Sequence, residues 1–167
     1  MSMLVKLFKA LNANQAPGQI ALSFVLGMIL GLTPLLFPHN LLTLFLIAFL
    51  RVNLSAVIVA TVFFSGLAYL LDPVFHQIGL AILQASALQS LFTDLYNNAF
   101  WRWLHFNNSI VMGSVVTAYL LSLPAFGVFL WLVKTYRQRF LVWVNQFKIV
   151  QLLNGADKAG LVSKVMQ

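Results

Sequence analysis

Apolar residues dominate a run of 41 positions, Ala10 to Leu50, that holds no Asp, Glu, Lys or Arg and is broken by Pro34 and by Pro38-His39-Asn40. A hydrocarbon core about 30 Å thick takes roughly 20 helical residues to cross. One crossing cannot use so long a run, and the prolines punctuate it near its middle. The pattern predicts a helical hairpin over residues 18–50, made of two short crossings or of a re-entrant pair. Two further uncharged stretches follow. Val52 to Leu71, bounded by Arg51 and the Asp72-Pro73 pair, predicts a span over 52–71. Trp103 to Val133 contains another, placed over 108–133. Between them, residues 74–106 are mostly apolar but carry Gln77, Gln84, Ser86, Gln89 and Ser90. That segment fits a second re-entrant limb or a helix lying on the outer face.

The ends of the chain have a different rhythm. Leu4, Leu7, Phe8 and Leu11 recur at i, i+3, i+4, i+7, with Lys6 and Lys9 on the other face. This is the pattern of a short interfacial helix, predicted over residues 1–16. Lys9 is followed by Asn12-Ala13-Asn14-Gln15 rather than by a compact apolar core, so a cleaved signal peptide is not expected. After Val133 the basic cluster Lys134 to Arg139 leads into Phe140, Trp143, Val144 and Phe147 at helical spacing. Residues 134–167 are therefore expected to form a cytoplasmic amphipathic tail, held at headgroups or against a protein partner.

Composition turns this pattern into a fold class. Hydrophobic residues make up 61% and charged residues 8%, where soluble domains carry about 25% charged. Ten Lys/Arg and three Asp cannot cover a soluble exterior. The expectation is an all-α integral membrane protein, with a broken or re-entrant hairpin, two or more transmembrane helices and amphipathic flanking helices. Its membrane domain covers residues 17–133. The net charge of +7 could suggest nucleic acid, but nine of the ten basic residues, all but Arg102, flank the apolar runs on one side of this topology. Basic flanks mark the cytoplasmic side, so both termini are expected there. The outer aromatic cluster Phe100, Trp101, Trp103 and Phe106 lacks the basic groove that stacked bases require. No nucleic-acid partner is expected.

Candidate sites are few. Gly27 and Gly31 form a small-x-x-x-small pair, which lets another helix backbone approach closely. Pro34 and Pro38 each remove a backbone donor, and His39 and Asn40 stand beside the break. Broken backbone at membrane depth is tolerated only where protein or water covers it. These four residues are candidates to face a substrate, unless Pro38-His39-Asn40 is only the polar tip of a full hairpin. Arg51 and Asn53 mark a cytoplasmic junction. Asn53 can cap the next helix, and the Arg51 fork can anchor at the interface or grip a lipid phosphate. No nucleophile-base pair, phosphate loop or metal-spaced His cluster is legible. His76 and His105 are isolated, and without Cys there are no thiolate sites. No enzyme activity, cofactor or metal is expected.

The order of these features resembles the bacterial inner-membrane family of unknown function numbered 2062. Ala16-Pro17-Gly18 leads into a limb with Gly27, Gly31 and Pro34, and the second limb ends in Leu50-Arg51-Val52-Asn53. The resemblance covers about residues 14–80. This chain has Phe37-Pro38-His39-Asn40 where the family has a glycine-containing turn. It has Phe63-Phe64-Ser65-Gly66 where the family has an Asn-Pro pair. The resemblance implies a bacterial inner-membrane location, and the family's fusions to glycosyltransferases imply envelope lipid or glycan work. The expected role is non-enzymatic help in lipid movement or presentation, with membrane lipids and a protein partner or second copy as companions. The alternatives are a structural anchor for an envelope complex, or a small solute or ion transporter.

Overall fold

The computed structural model describes residues 15–140. The amphipathic helix expected over 1–16 and the tail beyond residue 140 therefore lie almost wholly outside the described residues. Among the described residues every regular element is helical. The chain divides into two compact units, residues 1–130 and 131–167. The described part of the second unit is the end of the last long helix and a π-helical turn, Tyr136–Phe140, carrying Arg137 and Arg139.

Helix α1 runs Pro17–Leu32. Pro17 takes a first-turn position, where its missing N–H has no helical partner to lose. Gln19 Oε1 accepts from the Ala16 N–H at 3.3 Å. The helix stops at Thr33 because a residue before proline is pushed out of helical geometry, and Thr33 has φ −103° and ψ 153°. Helix α2 spans His39–Phe49 and α3 spans Leu54–Leu83. Asn53 caps α3, its Oδ1 accepting from the Ala56 N–H at 3.0 Å. A 3-10 turn at Ser86–Leu88 leads to α4, Gln89–Asn97, and α5, Ala99–Trp103. Helix α6 covers Ser109–Thr135.

Small residues set the packing. A Cβ on Gly27 would lie 2.5 Å from Val57 O, and one on Gly31 would lie 2.6 Å from Thr61 O. Ser23 Oγ accepts from the Asn53 N–H at 2.7 Å. The contacts climb both helices in step, so α1 and α3 run parallel. Helix α6 runs antiparallel to α3. Gly79 meets Ser109 and Gly113 at one end of that pair, and the Phe64 and Phe129 rings lie 6.2 Å apart further along. The core between these helices holds Val25, Met28, Ile29, Leu32, Phe75 and Ala118.

One helix departs from its expected limits. The span predicted over 52–71 does not end as a helix at Asp72-Pro73; α3 continues to Leu83 with Pro73 inside it. An interior proline costs about 3 kcal/mol. Beyond it, buried Phe75 and the Gly79–Gly113 contact hold the next turns against α6, and that packing keeps the helix going. The segment 74–106 consequently begins as part of α3 and then breaks into short helices. The nine residues of α4 and five of α5 fall well short of the roughly 20 needed to cross a bilayer.

Helices α3 and α6 are different in kind. They have 30 and 27 residues, or about 45 and 40 Å at 1.5 Å per residue. Both are long and apolar enough to cross a membrane. Only 22% of the most apolar window of α3, and 6% of that on α6, is buried. The core helix of a water-soluble domain would be mostly covered, and neither of these is.

Candidate functional site

Residues 33–38 join α1 to α2 with one turn bond of their own, Phe37 N–H to Pro34 O at 3.2 Å, and two side chains supply further partners. Thr33 Oγ1 lies 2.8 Å from Ile29 O and 3.0 Å from Asn40 Oδ1, one proton serving both. Asn40 Nδ2 donates to Pro34 O at 3.0 Å and reaches Leu35 O at 3.5 Å. Asn40 is 1% exposed, so its amide serves the turn rather than a ligand. Phe37 stacks on His39 at 6.1 Å and meets His105 edge-on at 5.0 Å. His105 holds a left-handed φ of 54°, uncommon outside glycine, and its Nδ1 lies 2.7 Å from Trp103 O. This aromatic stack ties the hairpin turn to the loop after α5. His39 Nε2 is buried without a hydrogen-bond partner among the described residues, at a cost of about 1–3 kcal/mol for such a group.

Beside the turn lies a cleft of about 340 Å³, at the small end of ligand sites. Thr33, Pro34 and Leu35 line one side of it. Ser65, Tyr69 and Asp72 line another from α3, at the i, i+4, i+7 spacing that puts side chains on one helical face. Ile110 of α6 also borders it. Asp72, Ser65 and Tyr69 make no side-chain hydrogen bond or ion pair among the described residues.

Two other polar contacts join helices. Thr43 Oγ1 lies 3.1 Å from the Tyr119 hydroxyl, linking α2 to α6. His76 Nδ1 lies 2.7 Å from Ser109 Oγ, linking α3 to the start of α6. A hydroxyl beside an imidazole is the first part of an activated nucleophile. Among the described residues no carboxylate bonds to the imidazole, and Asn108 Oδ1 already takes the Ile110 and Val111 amides. The contact is a clasp between helices. Among the described residues no group of three metal-ligating side chains gathers.

The residues singled out from the sequence scatter around this site. Pro34 lines the cleft, whereas Pro38 and His39 are half-buried behind it and Asn40 is turned into the backbone of the turn. Gly27 and Gly31 lie against α3. Asn53 caps α3 and donates its N–H to Ser23, while Arg51 is exposed and unpartnered among the described residues. Sequence reasoning missed Ser23, Tyr119, the Gly79–Gly113 contact and the position of Asp72 on the cleft. Isolated glycines and a lone serine inside apolar runs were the available signals. For Asp72 the signal was its spacing from Ser65 and Tyr69, legible only if the helix is taken past Pro73.

The family described as "Uncharacterized protein conserved in bacteria (DUF2062)" matches residues 4–141. A protein of Treponema pallidum (strain Nichols), named "Uncharacterized protein", is 27% identical over 156 residues, covering 92% of this chain and 94% of its own length. No solved structure matches the chain.

Proposed function

The chain belongs to this bacterial family, and we propose that it is a multi-pass inner-membrane protein that moves lipids or presents them to other envelope components. The observation that carries this reading is the register of α1 on α3. Ser65, beside Gly31, lies about 17 Å along α3 from Leu54 at 1.5 Å per residue. A charge is disfavoured in hydrocarbon, so Arg51 belongs at the headgroups just before Leu54. With Arg51 there, Gly31 sits about half-way through a core roughly 30 Å thick, and the turn at 33–38 lies beyond it, where Pro34 and Leu35 share a cleft with Asp72. The hairpin then enters from the cytoplasmic face and turns back, while α3 and α6 cross fully. Both termini are cytoplasmic in this arrangement, in line with the basic flanks.

A hairpin of this depth displaces lipid past the middle of the bilayer and brings its turn to the cleft on α3. Irregular backbone at that depth must be covered or wet. Thr33 and Asn40 satisfy the turn from inside, while Leu36 is 100% exposed and offers an apolar tip to acyl chains. Arg51, exposed at the junction, is placed to hold a lipid phosphate.

Purified full-length chain in vesicles containing a fluorescent phospholipid tests the function. Exchange of the probe between leaflets should exceed that of protein-free vesicles; an anchor or assembly subunit would leave the rate unchanged. The chain has no cysteine, so Leu36→Cys introduces a single reactive thiol. A fluorophore there should be quenched more by lipids labelled on their acyl chains than by a water-soluble quencher. Labelling of that thiol by an impermeant reagent from either aqueous face would reject a hairpin tip buried among acyl chains.

A further inference from the structure

We propose that the cleft beside the hairpin turn seats one ammonium group, that of an amine-bearing phospholipid of the outer leaflet. The proposal rests on the lipid-handling reading above and names the headgroup. Its first support is the chemistry of the lining. The Asp72 carboxylate and the Ser65 and Tyr69 hydroxyls border the cleft without side-chain partners among the described residues. Leu35 O stands beside them with a lone pair left after its long contact to Asn40, while Pro34 O already accepts from Asn40 Nδ2 and the Phe37 N–H. No Lys, Arg or His lines the cleft. An anion would meet a carboxylate with nothing to balance it. An ammonium finds one charge partner and several oxygen acceptors, and hydrogen bonds to an ionised partner are the stronger kind.

Other cations fit less well. A calcium ion takes six to eight oxygen ligands, and one carboxylate with scattered hydroxyls falls short of that. The rest of the lining is apolar, with Leu32, Leu35, Ala68 and Ile110, which suits the methylenes of an alkylammonium rather than a bare ion. Size and depth point the same way. A volume near 340 Å³ holds a headgroup but not its acyl chains. Asp72 lies about 27 Å along α3 from Leu54 at 1.5 Å per residue. That is the far edge of a core roughly 30 Å thick, where outer-leaflet headgroups begin. Tyr69 is largely exposed there, and an aromatic ring face attracts a neighbouring cation.

Native mass spectrometry of the full chain in non-ionic detergent tests the proposal, using phosphatidylethanolamine and phosphatidylglycerol with matched acyl chains. The wild type should retain one phosphatidylethanolamine about tenfold better than phosphatidylglycerol, the range expected of one charge-assisted contact. Asp72→Asn should remove that preference while leaving phosphatidylglycerol retention unchanged, and Asp72→Glu should restore most of it. Leu35→Trp, at an exposed lining position, should also lower phosphatidylethanolamine retention by filling the cleft. Equal retention of both lipids by the wild type, or no effect of either Asp72→Asn or Leu35→Trp, would overturn the ammonium seat while leaving lipid handling intact. Retention of neither lipid would overturn both. Free ethanolamine that displaces the lipid at equal concentration, in an Asp72-dependent way, would overturn the lipid as the source of the amine.

Discussion

The two limbs of the hairpin have nearly the same apolar composition and opposite surroundings. Helix α1 is covered on most sides, with an unbroken buried stretch from Val25 to Leu32. Helix α2 buries only Asn40 and Thr43, while Leu41, Leu42, Leu44, Phe45 and Phe49 face outward. In α1 the glycines bring a neighbouring backbone close, so apolar neighbours surround it. In α2 the interior contacts are hydrogen bonds, Asn40 to the turn and Thr43 to Tyr119. A helix with polar residues inward and leucines outward is inverted relative to water, where burial of leucine is the driving force. In lipid there is no such drive between helices, and packing with interhelical hydrogen bonds decides instead. The lesson is that hydropathy alone does not distinguish a covered limb from an uncovered one.

Substitutions that exchange the two logics should break this comparison. The largest effect belongs to Gly27→Leu, whose Cβ alone would sit 2.5 Å from Val57 O and 2.6 Å from Ala60 Cβ. Neither the helix backbone nor the short alanine can move aside cheaply. Overpacking costs typically 1–3 kcal/mol and sometimes more, and backbone contact puts this site at or above the top of that range. Membrane-fraction abundance and thermal unfolding in detergent should both fall sharply.

Asn40→Leu sharpens the contrast. The side chain is similar in size, but Leu35 O loses its donor, Pro34 O keeps only the Phe37 N–H, and Thr33 Oγ1 loses its neighbour. Leaving buried polar groups unpaired should cost about 2 kcal/mol, read as a lower unfolding temperature in the same detergent. A gain in stability on this swap to an apolar residue would mean that the hydrogen bonds do not hold the turn.

The smallest effect belongs to the outward face. Leu44→Ala removes a side chain that is 49% exposed, and it should change unfolding by under about 1 kcal/mol, since a buried Leu→Ala costs 2–5. Melting shifts for Leu44→Ala and Asn40→Leu, measured side by side, check the order. If Leu44→Ala proved the more damaging, α2 would be an ordinary helix whose apolar face meets a partner.

Much of the fold was legible because its causes are local or additive. The long uncharged runs, the helix start at Pro17, the break before Pro34 and the cap at Asn53 follow from neighbouring residues and from mean hydropathy. What lay beyond the sequence depends on which helix meets which. Gly27 and Gly31 announced a close approach, but the order of contacts Ser23 to Asn53 and Gly31 to Thr61 alone makes α1 parallel to α3. Asp72-Pro73 reads locally as a stop, and packing of Phe75 and Gly79 on α6 outweighs it. That override carries Asp72 onto the wall of the cleft and leaves Asn40 to serve the turn. Propensity and hydropathy act residue by residue, so the chain alone determined its helices and their breaks. Interhelical contacts join residues far apart in the chain, and only the tertiary structure decided which polar groups are satisfied inside and which remain open to a ligand.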